Sequence, residues 1–139
     1  MQTERDNVVT IHSDPGGPVI KRMREIAEMN SSGKEYRIVG QCSSSCTMFL
    51  GLDRVCVEPE TRFKFHSPYY LRGIPILASW AVEMNEQDHR IYVAQMMQYY
   101  PEGIRKNVRP ALDMIHKDTV YTGAELHKMD PEGIRPCSI

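Results

Sequence analysis

β-branched and apolar residues crowd the run from Asn7 to His12, which predicts a first strand. From Pro18 to Met29 the period changes. Val19, Met23, Ile26 and Ala27 fall at helical spacing, with Lys21, Arg22, Arg24, Glu25 and Glu28 between them. Pro15-Gly16-Gly17 joins the two as a turn whose glycines permit positive φ or close approach of another backbone. Asn30 to Lys34 are turn residues and Tyr36 to Gly40 reads as a second strand, so strand, helix and strand predict a parallel pair with a right-handed crossover. Cys42 to Ser45 are small, and the apolar run from Cys46 to Leu50 reads as a short buried helix. Gly51 to Val57 reads as a turn and short strand, and Thr61 to Phe65 alternates as a strand that delivers His66 at its end. Pro68 to Gly73 is polar and aromatic and reads as a loop over the site or an edge. A long helical pattern runs from Leu77 to Tyr99, with Trp80, Met84, Ile91, Tyr92, Met96 and Met97 as its stripe. A further helix, Ile104 to His116, carries Val108, Leu112 and Ile115 on one face; Asp118 closes it, and Gly123 to Met129 makes a last short helix. The expected architecture is a single α/β domain over residues 1–139 with a parallel sheet.

Composition narrows the function classes. At 139 residues, 41% hydrophobic and 25% charged, the chain has room for one real core. A formal net charge of −1 argues against a nucleic-acid surface, which neutralises several phosphates with clustered Lys and Arg. No apolar run approaches the length needed to cross a bilayer, and the polar start Met1 to Asp6 lacks a signal-peptide apolar region, so a cytoplasmic location without membrane partners is expected as the chain is written. Cys42, Cys46, Cys56 and Cys137 read first as buried small hydrophobes, second as disulfides and last as metal ligands, because Cys42-x-x-x-Cys46 lacks a second close pair. Two cysteines on one helix turn rarely close a bridge without distortion, a restriction that relaxes if Cys42 precedes the helix. No cofactor or metal is expected.

The stretch Val39 to Leu50 carries the chemistry. A strand feeding through small residues into a buried helix presents a side chain at the helix N-terminus, where free N–H groups and the dipole favour developing negative charge. Small polar residues before an apolar run also make ordinary helix caps. The surrounding order of motifs decides what else they do: His12-Ser13-Asp14-Pro15-Gly16-Gly17, then Gly40-Gln41-Cys42-Ser43-Ser44, then Phe65-His66-Ser67-Pro68, then Lys117-Asp118-Thr119-Val120-Tyr121-Thr122-Gly123-Ala124-Glu125.

In this order the chain resembles the Clp protease proteolytic subunit and its crotonase-like relatives, over most of its length. The Cys42-x-Ser44-x-Cys46-Thr47 version is most similar to a branch of bacterial Clp-like proteins that are usually exported, which makes a periplasmic location the alternative to the cytoplasm. The resemblance implies a ClpP/crotonase-like fold: a repeated ββα-type parallel sheet with flanking helices and a projecting long helix. It implies a serine peptidase with Ser44 as nucleophile, His66 as base and Asp118 as the carboxylate that holds the imidazole. Ser44 is chosen over Ser43 and Ser45 because it occupies the family's nucleophile position. The oxyanion hole would draw one N–H from Gly16 or Gly17 and another from Ser45. Peptides or unfolded proteins would be substrates, the helix from Leu77 to Tyr99 would be a handle for homo-oligomer contacts, and an ATPase unfoldase is a candidate partner. Relative to the family the chain begins almost at its first motif, as an N-terminally minimal or truncated form would. His12, His89, His116 and His127 read as surface or capping residues, His116 being the rival to test. Asp113 and Asp130 are the carboxylates that could be mistaken for Asp118, and Tyr69-Tyr70 could contact a peptide. The competing readings are a catalytically inactive crotonase-like scaffold and, less well matched by a Ser-His-Asp set, an acyl-CoA enzyme.

Overall fold

The computed structural model describes residues 2–74, 78–114 and 117–137. Its centre is a mixed sheet. Strands β1 (Gln2–Arg5), β2 (Val8–Asp14) and β3 (Glu35–Ser43) lie side by side, β1 antiparallel to β2 and β2 parallel to β3. Helix α1 (Val19–Ser31) connects β2 to β3, the pairing that strand-helix-strand requires. The other edge of β3 is shared: β4 (Val55–Val57) pairs with its first half and β5 (Arg62–Phe65) with its last three residues, both parallel. β8 (Thr119–Thr122) runs antiparallel along β5. β1 and β8 therefore make the sheet mixed where an all-parallel one was expected. Both additions are polar or β-branched edge strands, which a search for apolar periodicity passes over.

Alternation sets the buried face. Val9 and Ile11 of β2, Tyr36, Ile38 and Cys42 of β3, and Phe63 and Phe65 of β5 point into one core, while Arg37, Arg62 and Lys64 are exposed. The same core receives Ile26 and Met29 of α1, and Met48 and Phe49 of a 3₁₀ helix, Ser44–Gly51. α2 (Glu86–Met97) and α3 (Glu102–Asp113) contribute Val93, Met96, Ile104, Val108 and Leu112, and α4 (Gly123–Met129) contributes Leu126.

The long helix expected from Leu77 to Tyr99 is not one helix. Tyr69–Ile74 (β6), expected as a loop over the site or an edge, and Ala78–Glu83 (β7) form an antiparallel pair, and α2 begins only at Glu86. Trp80 and Met84 fit a helical stripe by spacing alone, but the Asn85 side chain accepts the Asp88 N–H at 2.8 Å and caps a new helix there. Leu77 lies outside the described residues. α3 ends at Asp113, three residues short of expectation, and Ile115 and His116 also lie outside the described residues.

The cysteines are paired, which corrects the first reading of them as buried thiols. Cys42 joins Cys46, with Cα atoms 5.2 Å apart, and Cys56 joins Cys137 across 81 positions, with Cα atoms 4.8 Å apart. The first bridge closes because Cys42 belongs to the extended end of β3 and only Cys46 to the helix. Among the described residues no helix is long and apolar enough to cross a membrane.

Candidate active site

β3 ends at Ser43 in extended geometry (φ −115°), and the chain then turns through Ser44 at φ +58° into the 3₁₀ helix. A non-glycine residue in the left-handed region costs on the order of 1–2 kcal/mol, so its neighbours must hold it there. Three constraints converge on it. The Cys42–Cys46 bridge closes a short ring around Ser44. Thr47 Oγ donates to the Ser44 carbonyl at 2.6 Å. The residues 14–18 turn packs against its side chain: a Cβ placed on Gly16 would lie 2.7 Å from Ser44 Cβ and 3.2 Å from its Oγ. A strained strand-to-helix turn of this kind lifts a serine hydroxyl clear of the sheet.

The turn is anchored by a pair of charges. β2 slips register against β3 between His12 and Asp14, where two steps of β2 stand against the three from Val39 to Cys42, so the extra residue lies in β3 and Asp14 comes level with Cys42, beside the serine turn. Asp14 Oδ1 accepts the Gly16 N–H at 2.8 Å and Arg22 Nη2 at 2.7 Å. Arg22 is buried. It also donates to Glu25 at 2.6 Å, stacks 4.3 Å above the Phe49 ring, and reaches Ser45 Oγ and the Gly16 carbonyl at 3.4 Å. Of the two glycine N–H groups expected as oxyanion donors, Gly16 is thus committed to Asp14. Gly17, at φ +146°, has no hydrogen-bond partner among the described residues. The Ser45 N–H belongs to the first turn of the helix, where backbone donors lack intrahelical acceptors.

His66 follows β5 directly. Its Nδ1 lies 2.9 Å from the Ser67 carbonyl oxygen and its ring stacks on Tyr69 at 5.4 Å. A carbonyl only accepts, so Nδ1 carries the proton of the neutral ring and Nε2 keeps its lone pair, the tautomer a general base requires. Ser67 is itself tied down: its Oγ lies 2.9 Å from His89 Nε2, which also lies 3.1 Å from the Leu112 carbonyl. His89, expected as a surface or capping residue, is half-buried and joins the His66 loop to α2 and α3.

Gly16, Gly17, Ser44 and His66 line one cavity of about 600 Å³, whose remaining walls include Val19, Tyr70, Met84 and Met96. Asp118 does not line this cavity. Its Oδ2 lies 3.7 Å from Lys64 Nζ, half-exposed, on a second cavity of about 400 Å³ that has His66 on its wall. The carboxylate of a Ser-His-Asp set would hold the imidazole; here Asp118 faces Lys64 and the Ser67 carbonyl holds His66. The other candidates have separate tasks. Asp113 pairs with Arg109 at 3.1 Å, Asp130 accepts the N–H groups of Gly103 and Gly133, and His127 Nδ1 meets the Ile134 carbonyl at 2.7 Å. His12 lies 3.3 Å from Thr3 Oγ on the exposed side of the sheet.

Sequence reasoning missed the parts played by Asp14, Arg22, Ser67 and His89. For Asp14 and Arg22 a signal existed: opposite charges straddling Pro15-Gly16-Gly17, one of them on the apolar side of α1. No family model matches the chain, and no curated protein matches its sequence.

Proposed function

We propose that the protein is a serine hydrolase of the ClpP/crotonase-like type that cleaves peptide bonds through an acyl-enzyme. One observation carries this reading: Ser44, held at positive φ on a strand-to-helix turn, shares a cavity with a histidine whose Nδ1 is occupied by a carbonyl and with a glycine turn that has a free N–H. His66 Nε2 removes the Ser44 proton as Oγ attacks the scissile carbonyl. The N–H groups of Gly17 and Ser45 receive the oxyanion. On collapse the imidazolium gives its proton to the leaving amine, and water, activated by the same nitrogen, releases the acyl group. Ser67 supplies the orienting acceptor, and Asp118, paired with Lys64, is left a minor electrostatic part.

The rest of the reading follows from the same resemblance and from the disulfides. Substrates are peptides or unfolded segments, and the working form is a homo-oligomer in which the β6–β7 arm takes the place of the handle helix. An unfoldase remains the partner that the resemblance suggests. Two disulfides suit an oxidising compartment such as the periplasm rather than the cytoplasm.

The test is labelling by a fluorophosphonate probe, read by intact mass. The wild type labels once, and Ser44→Ala and His66→Ala do not. A folded wild type that fails to label supports the competing reading, an inactive crotonase-like scaffold, which the commitment of Gly16 N–H to Asp14 and of Asp118 to Lys64 favours.

A further inference from the structure

Thr47 and Tyr100 are both buried, and their hydroxyl oxygens lie 2.6 Å apart. Thr47 Oγ also lies 2.6 Å from the Ser44 carbonyl oxygen. A carbonyl cannot donate, so the single hydroxyl hydrogen of Thr47 goes to Ser44, and Tyr100 must donate to Thr47. Burial pushes the Tyr100 phenol well above its ordinary range, which keeps it a donor at any working pH. A chain of donors therefore runs from the α2–α3 corner to the backbone of the strained serine.

The same ring reaches the other arm of the site. Tyr100 meets Phe65 edge to face, with centroids 5.4 Å apart and planes at 78°, and Phe65 immediately precedes His66. The far end of the 3₁₀ helix is seated on the same corner, since a Cβ on Gly51 would lie 2.5 Å from the Tyr99 carbonyl oxygen. A threonine returning its hydroxyl to the carbonyl three residues back is common in helices. A fully buried phenol that completes that bond and also packs behind the histidine strand adds a link between the two arms.

We infer that Tyr100 is a positioning residue: through Thr47 it holds the Ser44 carbonyl and with it the left-handed turn, and through Phe65 it sets the spacing between Ser44 and His66. Its catalytic consequence rests on the hydrolase reading; the hydrogen-bond relay does not. Tyr100→Phe, Thr47→Val, Thr47→Ser and the double variant Thr47→Val/Tyr100→Phe separate the two. The readouts are the backbone carbonyl ¹³C shift and amide coupling of Ser44, together with the probe-labelling rate and with kcat and KM on an unfolded-protein substrate.

Thr47→Val should move the Ser44 resonances and slow labelling and kcat about tenfold, the scale of a small misplacement of a reacting group, with KM unchanged because neither hydroxyl touches substrate. Thr47→Ser should restore both. Tyr100→Phe should shift the same resonances in the same direction by less, and the double variant should match Thr47→Val, since loss of the Thr47 hydroxyl already cuts the chain. Tyr100→Phe keeps every carbon and gives the reading by itself should Thr47→Val fail to fold. Unmoved Ser44 resonances and unchanged kcat in the folded variants overturn the relay while leaving the hydrolase intact. A wild type that does not label, but whose Ser44 resonances respond in this order, keeps the relay and removes the hydrolase.

Discussion

Replacing Gly16 with alanine probes the closest approach in the site. Two costs add. At φ +106° an alanine enters a region that L-residues avoid, at about 1–2 kcal/mol. Its Cβ would also sit 2.7 Å from Ser44 Cβ and 2.9 Å from the Ser43 carbonyl oxygen, and relieving that overlap costs about another 1–3 kcal/mol, as overpacking of a tight interior does. Neither partner can easily withdraw. Ser44 is held by Thr47 and by the Cys42–Cys46 ring, and the turn is held by Asp14 and Arg22. The control lies next door: Gly17, at φ +146°, has open space where a Cβ would go, so Gly17→Ala bears the strain alone. Urea unfolding should place Gly16→Ala about 2–5 kcal/mol below wild type and Gly17→Ala about 1–2 kcal/mol below it. Probe labelling of Ser44 should be lost in the first and largely kept in the second. Equal unfolding midpoints and equal labelling for the two variants would refute the argument that the turn is wedged against the nucleophile.

The two disulfides should separate by readout. In the chain-entropy treatment a loop closed across 81 positions contributes about 4–5 kcal/mol and one closed across four about 2 kcal/mol. Cys56→Ala/Cys137→Ala should therefore cost more stability in thermal melts, and Cys42→Ala/Cys46→Ala more labelling, because only the latter ring contains Ser44. Arg22→Met should leave the partly buried Asp14 without its cation and destabilise by about 3 kcal/mol, the low end for a buried pair, with Asp14→Asn/Arg22→Met recovering part of the loss in the same urea titrations. Asp118→Asn should lower kcat less than about tenfold, against the roughly 10⁴-fold loss expected of a triad carboxylate, and a steady-state assay on one substrate decides between these values.

Elements with a single strong period were legible in the chain. Val8–Asp14, Val19–Ser31, Glu35–Ser43, Arg62–Phe65 and Gly123–Met129 stand within two or three residues of where patterning puts them. Ser44, His66 and the glycine turn could be placed together because each motif ends a strand that joins the same sheet. What failed has physical causes. Between Tyr69 and Glu83, aromatic and small apolar residues satisfy a loop or a helix stripe as well as a hairpin, and the decision belongs to cross-strand pairing, which spacing does not encode. The partner of Cys56 lies 81 positions away, so no local rule finds it. The orienting acceptor of His66 is a backbone carbonyl, which every residue possesses and no motif marks. Arg22 stands among the charges between the apolar positions of α1, and spacing alone does not show that it is buried beneath the turn it supports.

The bridge between Cys56 and Cys137 divides the molecule in a way that the sheet does not. His66, Tyr100 and Asp118 all lie in the stretch of chain between those two sulfurs, whereas Ser44 lies before it, inside its own small ring. A backbone cut anywhere between Cys56 and Cys137 would leave two pieces that still migrate as one until a reductant is added. A cut between Cys46 and Cys56 would release the nucleophile from the base with both bridges intact. Nothing covalent other than the short run from Cys46 to Cys56 fastens one half of the site to the other. The protein can therefore be nicked and remain whole, or keep every disulfide and come apart, depending on whether the broken peptide bond lies inside one of the two disulfide loops or in the run from Cys46 to Cys56.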